Sequence, residues 1–257
     1  GFHMDFFLHF GPSHYNDLFR CAEPFFSSRG KGDVSEFVSK YIENYAKSEK
    51  KGLICIPSGN HDMDRLARAL HGDELKIAFA FLMSMPGAPF IYYGDEIGMR
   101  YIENHVSVEG GYGRTGSRSP MQWDSSVNYG FSSAPAESLY IRQDDCADAP
   151  TVASQMQDGS SLYNEVKKLI TIRKQHEALM SNGEIEFVYA EKNSYPLAYL
   201  RTGGCERILA VINPSGEPCE FECGYIPKET VYSFGGEISA KDGRISVPAC
   251  SAGLYAV

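Results

Sequence analysis

Apolar residues in the first part of the chain form short strand-like runs that alternate with helix-like runs. The strand-like runs lie at 2–9, 53–56 and 88–93, and the last two stop abruptly at polar or ionisable residues. The helix-like runs lie at 34–45, with one apolar stripe, and at 77–85, apolar on nearly every side. The order strand, helix, strand, helix, strand predicts parallel strands covered by helices.

The pattern changes twice further along the chain. Residues 100–153 are rich in Gly, Ser, Asn and Pro and show no periodicity, which is typical of a functional loop region. An amphipathic helix is predicted from Leu162 to Arg173 and closed by Asn182-Gly183. After it, seven short apolar runs separated by turn residues predict a small antiparallel β-sandwich. We therefore predict two domains, 1–182 and 183–257.

Composition and charge exclude some classes of function. Hydrophobic residues make up 43% of the 257 residues, as in ordinary soluble globular proteins. The net charge of −9 argues against a nucleic-acid partner, and no apolar run approaches the roughly 20 residues that cross a membrane. The seven cysteines show neither pairing logic nor zinc-site spacing, which favours reduced thiols and a cytoplasmic location. We assign no metal and no cofactor.

The polar residues that follow the predicted strands are candidates for chemistry. His61 and Asp62 follow the strand at 53–56, and Asp95 and Glu96 follow the strand at 88–93. Parallel strands deliver such residues to one rim, where carboxylates and imidazoles perform acid/base and electrostatic chemistry on sugars. The structural alternative is that Asp62 only caps the next helix and His61 is a turn residue. Taken alone, the tripeptide at 60–62 favours neither the catalytic nor the structural interpretation.

Three segments of the chain resemble segments of a known family and occur in the same order as in that family. They are Asn60-His61-Asp62, the run PGAPFIYYGDEIGM at 86–99 and the run RTGSRSPMQWD at 114–124. This chain resembles the C-terminal half of glycoside hydrolase family 13, the α-amylase superfamily, in its α-glucosidase, oligosaccharide hydrolase and trehalose-synthase-like branches. The resemblance implies the last part of a (β/α)₈ barrel, strands six to eight with their helices, followed by an all-β sandwich domain. The implied substrate is an α-linked gluco-oligosaccharide or disaccharide.

The resemblance also implies which catalytic groups lie elsewhere. Family members carry a nucleophilic Asp after strand four and an acid/base Glu after strand five, and both positions would precede Gly1. Retaining glycoside hydrolysis needs two such carboxyl groups about 5–5.5 Å apart. We therefore expect the 257 residues alone to be inactive and to need the N-terminal half of the barrel as a partner.

The resemblance gives four residues of this chain a role. Asp62 matches the carboxylate that stabilises the transition state, and His61 matches a neighbouring sugar ligand. Arg118 is expected to border the site of the second sugar or leaving group, although an ion pair that holds its loop is an equal alternative. Arg65 matches an Arg that frequently follows the family's Asn-His-Asp and is a candidate substrate-binding residue. Thr115 stands where relatives usually have Asp, which leaves the specificity for the leaving group open.

Two other readings remain open. One is a transglycosylase or isomerase of the same family, since hydrolysis and transfer share one covalent intermediate. The other is a non-catalytic amylase-like interaction domain, which the presence of both His61 and Asp62 disfavours.

Overall fold

The computed structural model describes residues 6–8, 14–48, 52–108 and 115–257, and residues 6–8 by their backbone alone. Strand β1, Phe6–Leu8, pairs in parallel with β2, Leu53–Cys55. Between them in the chain lie helices α1, Tyr15–Phe19, and α2, Ser35–Ser48. The remainder of the predicted strand at 2–9 falls outside the described residues.

The prediction of a third strand at 88–93 is wrong in the described structure. Only one bridge forms there, between Pro57 and Phe90, and the Phe90 carbonyl accepts a 2.8 Å hydrogen bond from the Ser58 amide. Pro89 has no amide hydrogen to donate to a ladder, and the amide of Tyr92 donates to the Ser58 side chain at 2.9 Å instead. The segment therefore lies beside the residues after β2 but does not form a regular strand.

Helix α3, Asp73–Ser84, is the central buried element. Nine of its residues are buried, and Phe81 lies 5.3 Å from Phe26 and 6.1 Å from Phe37 between ring centroids. The N-cap position of α3 is Gly72, which has no side chain to offer. Glu74 accepts instead from the His71 amide at 2.8 Å, which satisfies a donor at the helix start.

The region after α3 is mostly irregular, as its composition predicts. Short 3₁₀ turns occur at Thr115–Ser117, Val127–Gly130 and Ala136–Ser138. Helix α4 spans Val152–Gln157, and α5 spans Leu162–Gln175.

Two antiparallel sheets form the last part of the chain. The five-stranded sheet has the order β3-β4-β5-β10-β7, and the three-stranded sheet has the order β6-β9-β8. Their inner faces share one apolar cluster that includes Leu200 and Tyr255 from the first sheet and Phe221 and Ile245 from the second. The strands are β3 Glu184–Tyr189, β4 Leu197–Gly203, β5 Glu206–Asn213, β6 Cys219–Glu222, β7 Glu229–Phe234, β8 Ser239–Lys241, β9 Arg244–Val247 and β10 Ser251–Ala256.

Two buried arginines, Arg201 of β4 and Arg173 of α5, contact the C-terminal end of α3. Arg201 donates to the carbonyls of Ser84 and Met180, and Arg173 donates to those of Met83 and Met85 at 2.7 Å each. Both cations thus satisfy carbonyls at and beyond the C-terminus of α3, where the helix dipole favours positive charge. Burial lowers the pKa of each guanidinium to about 10.

Candidate functional site

The loop after β2 holds His61 and Asp62 at the surface. The Asp62 amide donates to Asn60 Oδ1 at 2.8 Å, an Asx turn that fixes the backbone at the bend. The side chains of His61 and Asp62 are 67% and 45% exposed. The next helical turn, Leu66–Arg68, has no side-chain cap, so Asp62 does not serve it as one.

Arg118, which lies in a loop 56 positions after Asp62, contacts both residues. Its Nη2 lies 3.0 Å from Asp62 Oδ1, and its Nε donates to the His61 carbonyl at 2.8 Å. His61 Nε2 lies 3.4 Å from the other carboxylate oxygen of Asp62. An ion pair this exposed contributes at most about 1 kcal/mol to stability. Its main effect is to orient the Asp62 carboxylate while leaving it open to solvent.

Arg65 lies elsewhere than the sequence interpretation expected. It is fully buried, and its Nη1 donates to the Tyr93 carbonyl at 2.7 Å and to Asp95 Oδ1 at 3.1 Å. Its guanidinium also lies 5.0 Å from the ring centroids of Tyr92 and Tyr93. A side chain enclosed in this way has no surface for a sugar, so the expected ligand contact is corrected to an internal support.

Asp95 connects this support to the start of the Asp62 loop. Its Oδ2 accepts from Ser58 Oγ at 2.7 Å, and burial raises its pKa despite the attraction of Arg65. A Cβ on Gly59 would come within 2.8 Å of the same Oδ2, so only glycine allows this approach.

Arg20 is a further support that the sequence did not reveal. Its guanidinium donates to the carbonyl of Asp64, through Nε at 2.6 Å, and to that of Ser58. It therefore holds both ends of the segment that carries His61 and Asp62. No motif contains Arg20, and only the tertiary fold brings it to the loop.

A cavity of about 500 Å³ lies next to Arg118. Its walls include Tyr93, Trp123 and Phe131, and the side chain of Trp123 is half exposed. Glu96 also lines it, and one carboxylate oxygen, Oε2, is buried with no hydrogen-bond partner among the described residues. Burial raises the pKa of Glu96.

Comparison with protein families gives a match that covers the site. The family described as alpha amylase, catalytic domain, matches residues 26–182. The chain belongs to the α-amylase family. The match includes the His61–Asp62 loop, the Arg65–Asp95 pair and the loop that carries Arg118.

Curated relatives of this α-amylase-family chain include several kinds of protein. It is 29% identical over 231 residues to a probable alpha-glucosidase of Rhizobium meliloti, which covers 84% of this chain and 41% of the relative. It is 34% identical over 189 residues to a trehalose synthase/amylase of Mycolicibacterium smegmatis, covering 64% and 30%. It is 28% identical over 187 residues to a human amino acid transporter heavy chain, covering 72% and 26%.

Among solved structures, the trehalulose synthase MutB from Pseudomonas mesoacidophila MX-45 has a TM-score of 0.73. At 22% identity, the alignment covers 87% of this chain and 46% of MutB. This likeness supports the fold, a partial barrel followed by a β domain. The α-amylase-family chain thus spans less than half the length of these relatives.

One side-chain cluster in the described residues has the spacing of a metal site. Ligand atoms of Asp144, Asp145 and Cys146 lie within 4.8 Å of one another. Asp144 already pairs with Arg100 at 2.7 Å, so the cluster by itself supports no metal assignment. No helix in the described part of the chain combines the length and apolar character that a bilayer crossing requires.

Proposed function

We propose that this chain supplies part of the active site of a retaining α-glucoside-active enzyme. The observation that carries the proposal is the exposed Asp62 carboxylate, held by Arg118 beside His61. A carboxylate in that position accepts hydrogen bonds from sugar hydroxyls, and His61 donates to or accepts from the same ring. Such bonds strengthen as the ring flattens towards an oxocarbenium ion and supply several kcal/mol to the transition state.

The two groups that begin the reaction are proposed to come from outside these 257 residues. Hydrolysis with retention needs a nucleophilic and an acid/base carboxyl group about 5–5.5 Å apart. The family resemblance assigns both to the N-terminal half of the barrel. Residues 1–182 would then be the C-terminal part of the barrel, with β1 and β2 as its sixth and seventh strands, and 183–257 a β-sandwich domain that packs against it.

The four residues of the site divide into ligands and supports. Asp62 and His61 are proposed to contact the glucosyl ring, and Arg118 to border the leaving group. Arg65 acts as a positioning residue, because it is buried and contacts the Asp95 side chain and the Tyr93 carbonyl.

The test combines this chain with the N-terminal barrel half of the alpha-glucosidase relative and measures hydrolysis of 4-nitrophenyl α-D-glucoside. The chain alone is expected to give no turnover, and the combination is expected to be active. Asp62→Asn should then lower kcat/KM by at least about 100-fold, which corresponds to the loss of about 3 kcal/mol of transition-state stabilisation. Turnover by the purified chain alone, or full activity of the Asp62→Asn combination, would refute the proposal.

Hydrolysis and sugar transfer are both represented among the relatives by their names. The two reactions share the covalent intermediate and differ in whether water or a sugar attacks it. Product analysis of the active combination on maltose and sucrose separates them, because transfer yields a new disaccharide and hydrolysis yields only monosaccharides. A non-catalytic role predicts no product in either case.

A further inference from the structure

The cavity beside Arg118 adjoins the proposed sugar site. Arg118 lines the cavity and also pairs with Asp62, so one side chain forms the border between the two. Tyr93 also lines the cavity, and its hydroxyl donates to the carbonyl of Ser119, the residue after Arg118, at 2.8 Å, which fixes the ring. A group linked to a glucosyl ring at Asp62 would therefore enter the cavity past Arg118.

The described walls of the cavity are mainly apolar. Trp123, Phe131 and Tyr140 present half-exposed aromatic surface, and Met121 and Ile141 add buried aliphatic surface. Unlike most exposed apolar residues, which are scattered singly, these side chains surround one space large enough for a small ligand.

The polar groups of the described walls are few. Glu96 and Arg118 are the charged residues that line the described part of the cavity, and Arg118 is already engaged with Asp62. A second sugar would bring several hydroxyl groups, and each one buried without a partner costs free energy. An apolar ring carries no such cost and gains contact with the aromatic walls.

We infer that this cavity is a leaving-group site that selects α-glucosides with an aromatic or other apolar aglycone over those with a second sugar. The inference rests on the proposed function, because it takes the glucosyl ring to lie at Asp62 and His61. It adds a specificity: the aglycone ring lies against Trp123 and Phe131.

The chain carries its own probe for this site. Trp123 is the only tryptophan in the sequence and lines the cavity, so its fluorescence reports occupation directly. The experiment titrates the full chain with phenyl α-D-glucoside, follows the emission, and measures methyl α-D-glucoside and maltose by their competition with the phenyl glucoside. We expect phenyl α-D-glucoside to bind about tenfold more tightly, equivalent to about 1.4 kcal/mol. Maltose, with a second sugar as aglycone, should bind no more tightly than the methyl glucoside.

Two variants test whether the preference for the phenyl glucoside depends on the wall of the cavity. Phe131→Ala should remove most of the preference for the phenyl glucoside, whereas Val127→Ala should leave it intact, since Val127 is exposed in the same loop but does not line the cavity. Equal affinities for the phenyl and methyl glucosides, tighter binding of maltose, or no detectable binding of the phenyl glucoside would each overturn the inference.

A further variant separates this inference from the proposed function. If both hold, Asp62→Asn weakens the phenyl and methyl glucosides by the same factor and leaves the phenyl preference unchanged. If the cavity binds apolar rings but Asp62 holds no sugar, the phenyl glucoside binds equally to the wild type and to Asp62→Asn. That second result would refute the proposed function and the leaving-group assignment, while the Phe131→Ala effect would still show an apolar binding site.

Discussion

The buried pair of Arg65 and Asp95 offers a sharp test of how the site is supported. Arg65 is 0% exposed and Asp95 is 1% exposed, with 3.1 Å between Nη1 and Oδ1. Removing one member of such a pair leaves the other charge buried without compensation, which costs about 3–5 kcal/mol. We therefore expect Arg65→Met, which leaves Asp95 without its partner, to lower the free energy of unfolding by that amount.

The double variant distinguishes a coupled pair from two independent contacts. If the charges support each other, Arg65→Met combined with Asp95→Asn costs clearly less than the sum of the two single changes, because no unpaired charge remains. The assay is urea denaturation of the four proteins, in which a shift of the midpoint at constant slope reports stability.

Arg68 provides the matched control three residues away. It pairs with Asp64 at 2.6 Å and with Glu103 at 2.8 Å, but its side chain is 39% exposed. Water screens these pairs, so Arg68→Met should cost less than about 1 kcal/mol. Equal effects of Arg65→Met and Arg68→Met, or additive effects in the double variant, would refute the argument from burial.

Three further predictions follow from other contacts. Arg201→Met should lower the free energy of unfolding by about 3–5 kcal/mol, because it leaves the buried carbonyls of Ser84 and Met180 without a donor. The exposed control Arg244→Met should change it by less than about 0.5 kcal/mol. Denaturation midpoints measure both. Tyr93→Phe removes the 2.8 Å hydrogen bond to the Ser119 carbonyl and should cost about 1 kcal/mol by the same assay, and a neutral result would show that water replaces it. Burial raises the pKa of Asp95, so this carboxyl group binds a proton more readily in the folded protein than in the unfolded chain. The free energy of unfolding of the wild type, relative to that of Asp95→Asn, should therefore fall as the pH rises from below the unfolded pKa through the raised folded pKa. An opposite slope in that difference would show that Arg65 outweighs burial.

Periodicity predicted the elements that bury one face. Helices α2, α3 and α5 and seven of the eight C-terminal strands lie close to their predicted positions, because their apolar residues repeat at helical or strand spacing. Strand β8 was missed because all three of its residues are exposed. The segment at 88–93 was mistaken for a strand because apolar character does not reveal that Pro89 and the Ser58 side chain interrupt the ladder.

The candidate site was predictable only where a motif contains it. The segments at 60–62 and 114–124 indicated His61, Asp62 and Arg118, and the fold brings these three together. Proximity in sequence misplaced Arg65, because a motif does not show whether a side chain points outward or inward. Arg20 was missed entirely, since its contact with the loop depends on how α1 packs.

Binding of a simple glucoside to the chain tests the central claim most directly. Methyl α-D-glucoside is added to the isotope-labelled protein, and amide chemical shifts are followed by NMR for the wild type and for Asp62→Asn. We predict saturable shifts at the amides of His61, Asp62 and Arg118 in the wild type, and their loss in the variant. Shifts that are absent from these amides, or that persist unchanged in Asp62→Asn, would contradict a glucosyl site at this loop.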